Sequence, residues 1–289
     1  MKVQPASAVA ALDRIVALPG VPDAVDRARE ACTRLRWHPA LRRRAAEARA
    51  EASVRAVHSS AALAGARLPL DLVRDVATGA ACFPPDAAGR TALGVLRAHA
   101  EAEALSRGWE RAPLQALARL HLVAAAGLVP DAALGRPRAL GETPGDGADL
   151  LTPSGQPLPV PLAVEIPGRL AALADLLGAP ASVPALVVAG LVQAEIATLR
   201  PFIAANGVVA RALCRAVVAG RGLDPTGVTL WETGLLAAGP RYPLALAAYG
   251  EGSPDAVSGW LGLFANAVVE GAAEGSRLAD AVVAGRLTQ

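Results

Sequence analysis

Leu199-Arg200-Pro201-Phe202-Ile203-Ala204-Ala205-Asn206-Gly207-Val208-Val209-Ala210-Arg211 joins two apolar segments, Val183–Leu199 and Val208–Ala219. Each segment is built of Ala, Leu and Val and has the length of a buried helix. The stretch therefore reads as helix, short loop, helix. Asn206-Gly207 would open the second helix, where Asn is among the best capping residues. Phe202 is expected in the core, positioning the loop.

The same punctuation marks helices on both sides. Trp37 to Ala66 is rich in Ala and Arg with no Gly after Pro39 until Gly65, as in a long helix. Pro69 opens Leu70–Thr78, which Gly79 closes. Pro84-Pro85-Asp86 begins a helix through Leu105, and Pro113 begins another that Gly127 stops. Tyr242–Tyr249, Asp255–Gly271 and Ser276–Ala284 are the last helices expected. The segment from Gly135 to Pro167 breaks the pattern with seven prolines and five glycines. A connection of this length is more typical of a functional flap than of an idle loop. Pro157, Pro159 and Pro161 alternate, so a strand here would lack three N–H donors along one edge. A Pro-rich surface loop is the other reading.

The 289 residues are 53% hydrophobic and 19% charged, which supports a large core and excludes wholesale disorder. Aromatics are only 3%, and Lys2 is the one lysine against 27 arginines. A formal charge of +2 gives no global field toward nucleic acid or an anionic membrane. Cys32, Cys82 and Cys214 lie far apart, in neither a disulfide nor a zinc pattern, so a reducing cytoplasm is expected. The N-terminal Ala/Val run is broken by Asp13 and Arg14, unlike a signal peptide. The apolar run Val183–Val192 is about half a membrane span, and no membrane association is expected.

The loop resembles the signature of the Fic (Fido) family, His-x-Phe-x-(Asp/Glu)-Gly-Asn-Gly-Arg-x-x-Arg, with Pro201, Phe202, Asn206, Gly207 and Arg211 on matching positions. Leu117–His121 with Gly135-Arg136-Pro137-Arg138 resembles the family's leucine-histidine helix and the Gly-x-x-Arg after it. Ile166-Pro167-Gly168 resembles the start of the helix after its flap, and Trp260–Phe264 resembles its C-terminal helix. Ser59–Gly65 resembles its inhibitory segment, Ser-x-x-x-Glu-Gly. The resemblance spans roughly residues 37–270. It implies a mainly α, Fic-fold helical domain with a short β-hairpin flap and flanking helices. The implied organisation is an N-terminal helical extension (1–36) and a helical region with a degenerate inhibitory segment (37–112). A Fic-like core (113–225, flap 135–167) and C-terminal helices (226–289) follow.

Most such proteins transfer AMP from ATP to a protein hydroxyl. In them the loop's N–H groups and Asn hold the α-phosphate, as helix N-termini do anions. The acidic residue holds Mg²⁺, the histidine is the base, and the arginines bind the outer phosphates. Here the departures fall on the chemistry. The base position is Arg200, which stays protonated. The metal position is Ala204, which has no ligand oxygen, so no metal is expected. The first glycine is Ala205, restrictive if φ must be positive, and the first phosphate arginine is Val208.

The inhibitory glutamate position is Ala64, while Ser60 and Gly65 remain. Loss of AMP transfer and loss of its restraint are mutually consistent with a pseudoenzyme. Such a chain would bind a protein partner and retain phosphate or nucleotide affinity, ATP being the candidate cofactor, through Arg200, Asn206, Gly207 and Arg211. For these residues a plain helix cap and solvated or carboxylate-paired arginines, Arg215 included, are the other reading. A transferase with non-standard residues is the alternative; it needs a carboxylate or histidine such as Glu195, His58 or His121 to reach the loop. His121 otherwise reads as a buried, hydrogen-bonded core residue. A third reading, a DNA-associated regulator, would use Arg42-Arg43-Arg44, whose default is a solvated face.

Overall fold

In the computed structural model, which describes residues 5–147, 150–152 and 154–286, the chain is mainly α-helical. The helices among these residues are α1 (Pro5–Val16), α2 (Val21–Arg36), α3 (Leu41–Leu63), α4 (Leu70–Ala77), α5 (Ala87–Leu105) and α6 (Pro113–Ala125). They continue as α7 (Ile166–Leu177), α8 (Ala185–Leu199), α9 (Asn206–Gly220), α10 (Trp231–Ala237), α11 (Arg241–Glu251) and α12 (Pro254–Val283).

Local chemistry explains where they begin. The Asp86 carboxylate accepts the Gly89 N–H at 2.8 Å and caps α5. Pro113 and Pro254 sit in first turns, where a missing N–H costs nothing. The Ser253 hydroxyl accepts the Ala256 N–H at 3.1 Å ahead of α12. The long helix expected from Trp37 begins only at Leu41 and is kinked at Arg44, whose φ is −132°.

α8 and α9 form the central antiparallel pair, connected by the six residues 200–205. Leu186, Val187, Val188, Leu191, Val192 and Ile196 of α8 are buried together, and only Ala185 and Glu195 of the helix are part-exposed, so it is almost wholly enclosed. α5 and α6 cover α9, α7 and α11 cover α8, and α12 runs behind them against α2, α3, α10 and α11. The N-terminal α2 thus packs into the body along α12. Between them lies a smaller apolar cluster of Leu35, Leu41, Val228, Leu230, Leu278 and Val282.

The C-terminal region differs from expectation: one helix of thirty residues replaces the two divided at Gly271. Gly271 serves a close approach, not a stop. A Cβ there would lie 2.5 Å from the Trp231 backbone nitrogen, where the Leu230 N–H donates to the Gly271 carbonyl at 3.1 Å. By length and apolarity α12 passes the test for crossing a membrane. Its apolar side, with Trp260, Leu261, Phe264 and Val268, is buried against the other helices. That is the pattern of a core helix.

The flap is a minimal hairpin. Leu151 and Pro157 form one antiparallel bridge, and the Leu158 N–H donates to the Leu150 carbonyl at 2.7 Å. With a single bridge, the carbonyls of the proline-rich leg have no neighbouring strand to donate to them, and guanidinium groups serve them instead. Arg200 donates to the carbonyls of Leu158 (2.9 Å) and Pro159 (2.8 Å), and Arg138 donates to that of Pro161.

Candidate functional site

The loop between α8 and α9 is held by backbone torsions that few side chains tolerate. Arg200 (φ 48°) and Ala205 (φ 60°) are the non-glycine residues with positive φ among those described. Ala205 stands where the resembling signature has glycine, and the position does require the left-handed conformation. That conformation costs an alanine roughly 1–2 kcal/mol. Ala205→Gly is therefore expected to stabilise the protein by about 1 kcal/mol, read as a rise in urea midpoint at unchanged slope. A lowered midpoint would show that Ala205 carries no strain.

Asn206 staples the loop. Its Oδ1 accepts the Phe202 N–H at 2.9 Å and its Nδ2 donates to the Phe202 carbonyl at 2.9 Å. Phe202 in turn stacks on His121, ring centroids 3.9 Å apart and nearly parallel. His121 is fully buried, and its Nδ1 accepts the Gly135 N–H at 3.0 Å, which ties α6, the start of the flap and the loop together. Burial pushes the His121 imidazolium down to about 4, opposed only in part by the Ala204 carbonyl. At neutral pH the ring is uncharged and its proton sits on Nε2.

The carboxylate that reaches the loop is one that sequence reasoning missed. Asp146, on the flap, accepts the Asn206 N–H at 2.6 Å through Oδ2 and the Asn206 Nδ2 at 2.7 Å through Oδ1. It occupies the anion position at the first turn of α9, where backbone N–H groups and the helix dipole favour negative charge. Gly145 alongside donates its N–H to the Ile203 carbonyl at 2.8 Å. The signal in the sequence is slight: an acid between two glycines, Gly145-Asp146-Gly147, sixty residues from its partner. Arg138 completes the attachment, its N–H donating to the Pro201 carbonyl (2.7 Å) and its Nε to the Arg200 carbonyl (2.9 Å).

The other residues named as alternatives do not reach Asn206. Glu195 accepts from Arg169 at 2.6 Å and from the Tyr249 hydroxyl at 2.7 Å. The His58 Nε2 lies 3.0 Å from the Leu68 carbonyl. His121 lies behind Phe202. Arg200 is 4% exposed and lies under the flap, bound to Leu158 and Pro159. Arg211, 3% exposed, donates through Nε to the Ser60 hydroxyl (2.8 Å) and through Nη2 to the Ser60 carbonyl (2.9 Å). The segment Ser59–Gly65 thus meets this arginine through Ser60, while Ala64 brings no carboxylate. Arg215 faces away from the loop, bidentate on Glu232. Arg42, Arg43 and Arg44 are exposed.

A cavity of about 670 Å³ opens over this loop, lined by Ala64, Gly65, Arg67, Asp146, Asn206, Arg211, Tyr242 and Leu246 among others. Its volume suits a small organic ligand. The described residues form no all-protein cage for a divalent metal. Ala204 has no side-chain oxygen, both Asp146 oxygens are engaged by Asn206, and no cluster of three His, Cys, Asp or Glu exists among the described residues. The cysteines are free, and burial raises the Cys32 thiol to about 12 and that of Cys214 well above its ordinary value. Burial thus disfavours the thiolate form of both.

No family model and no curated protein matches this sequence. The fold matches solved structures closely. A Fic family protein from Desulfovibrio desulfuricans G20 superposes with a TM-score of 0.70 at 18% identity, covering 94% of this chain and 76% of its own. Residues 134–508 of Fic-1 from C. elegans give 0.64 at 16%, covering 91% and 73%. A Fic domain containing signaling protein from Bacteroides thetaiotaomicron VPI-5482 gives 0.60 at 12%, covering 89% and 98%. The chain has the Fic fold.

Proposed function

We propose that this Fic-fold chain is a protein-binding or regulatory scaffold that does not transfer AMP and that keeps the phosphate cradle of its fold. One observation carries the reading. At the loop the base position is a buried guanidinium spent on flap carbonyls, and the one carboxylate on Asn206 among the described residues, Asp146, serves as hydrogen-bond acceptor to the helix start. A guanidinium cannot take a proton from an attacking hydroxyl. Loss of a general base alone costs about 10²–10⁴ in rate, and the absence of a metal ligand at Ala204 removes charge stabilisation at the transferred phosphate. Asn206, Gly207 and Arg211 can position a phosphate, but among the described residues no histidine or unengaged carboxylate faces the cavity at the loop to activate a nucleophile. The protein partner would meet the flap, whose Pro157–Pro161 leg pairs along only one edge. The free thiols Cys32, Cys82 and Cys214 support a cytoplasmic setting.

The test is incubation of purified protein with labelled ATP, Mg²⁺ and a cell lysate. The expected result is no label on any protein. Transfer abolished by Asn206→Ala would overturn the reading in favour of a transferase with non-standard catalytic residues.

A further inference from the structure

The flap inserts a carboxylate into the site beside Arg200, a buried guanidinium whose hydrogen-bond partners are the neutral Leu158 and Pro159 carbonyls. Asp146 takes both the N–H and the side-chain amide of Asn206, while the Gly207 and Val208 N–H groups find no acceptor among the described residues. Arg211 and Arg67 line the same cavity, and Arg211 is held by the neutral Ser60. Arg200 lines it too, and its buried Nε has no hydrogen-bond partner. The surroundings of Asp146 are thus a cationic, donor-rich pocket whose single resident anion among the described residues comes from the flap, outside the helical core.

We propose that Asp146 is a displaceable latch: its carboxylate holds the flap against the first turn of α9 and yields that place to a phosphate group entering the cavity. The proposal deepens the reading of the loop as a phosphate cradle and rests on it. Two anions cannot share the Asn206 donors, so ligand binding and flap closure exclude each other. The apparent affinity for phosphate is then the intrinsic affinity reduced by the fraction of molecules with the latch released. Gly147 beside it has φ 82°, and a Cβ there would lie 2.9 Å from the Arg200 Cδ, so the flap packs directly on the Arg200 side chain.

Pyrophosphate is the probe, with Asp146→Ala and Asp146→Asn as variants. Asparagine keeps the volume but cannot present two acceptors to Asn206. Calorimetric titration is expected to show at least tenfold tighter pyrophosphate binding by both variants than by the unaltered chain. Amide hydrogen exchange across residues 143–152 is expected to be faster in both variants. In the unaltered chain it is expected to rise when pyrophosphate saturates. Equal affinities in all three proteins, or exchange in this segment unchanged by variant and ligand alike, would overturn the latch. The Asp146 side chain takes no part in the helical core, so the variants should retain the far-UV spectrum. Label transfer from ATP by the unaltered chain would sink the scaffold reading and leave this result standing. Absent pyrophosphate binding in the variants would sink the cradle and the latch together and leave the lack of AMP transfer intact, whereas equal measurable binding would sink the latch alone.

Discussion

Glu232→Ala is expected to remove about 3–5 kcal/mol of folding stability, the largest single effect in this protein. Glu232 is 2% exposed and Arg215 7%. The Arg215 Nε donates to Glu232 Oε1 at 2.7 Å, its Nη2 donates to Glu232 Oε2, and Nη2 also reaches the Thr229 carbonyl at 3.3 Å. The guanidinium lies 5.5 Å from the Trp231 ring centroid. Such a bidentate pair sits within a few kcal/mol of an apolar pair of the same volume, because desolvating both ions offsets most of their attraction. Removing one partner is different. It leaves a buried, unpaired guanidinium with no water to solvate it. The melting temperature should fall by roughly 10 °C. The double variant Arg215→Met with Glu232→Leu should recover most of the loss, since no charge is then stranded. A loss below about 1 kcal/mol in Glu232→Ala would show that Arg215 reaches water.

The second large effect is a loss of stability in mild acid. Both fully enclosed histidines have imidazolium forms disfavoured in the folded state: His121 is lowered to about 4, and His99 well below its ordinary value. For His99 burial leads, followed by the nearby Arg215 and Arg49 cations. Unfolding releases each ring to its ordinary value near 6.5, so between about pH 6.5 and 4 the unfolded chain binds more protons. Stability therefore falls as pH drops through that window. His121 alone accounts for about 2 kcal/mol by pH 5 and about 3 kcal/mol by pH 4. Urea unfolding at pH 7.5 and 5.0 measures the loss. His121→Asn, whose Oδ1 can still accept from Gly135, should lose about 2 kcal/mol less between the two pH values. If the unaltered chain is equally stable at both, the rings are not held neutral in the fold.

Much of the architecture could be read from single residues. Asp86 and Pro113 mark the helix starts that they cap or open, and Gly127 lies two residues past the last residue of α6. The apolar runs on either side of residues 200–205 are the buried central pair. These signals act within one or two turns, through a side chain on its own backbone, so sequence order carries them. Gly271 was misleading for the opposite reason. Glycine stops helices when its backbone turns left-handed, but it also permits another chain to cross at contact distance, and only the position of Leu230 and Trp231 decides between the two. The site was legible as residue types and not as partners. Arg200, Asn206 and Arg211 stand out in the loop, yet their ligands are Leu158 and Pro159, Asp146, and Ser60.

Composition and short-range pattern by themselves determined a helical chain with a large Ala/Leu/Val core and a proline-rich segment, and the resemblance added that Arg200 and Ala204 stand at the base and metal positions of the loop. Those statements follow from which atoms a residue owns: alanine has no ligand oxygen and arginine no basic form, wherever they are placed. Tertiary structure alone decided that Arg215 is neutralised by Glu232, that Arg200 secures the flap, and that a carboxylate sixty residues away fills the anion position of α9. Electrostatic partnership acts through a few ångströms of space, and the chain brings distant residues together only once the hydrophobic core has set the helices in place.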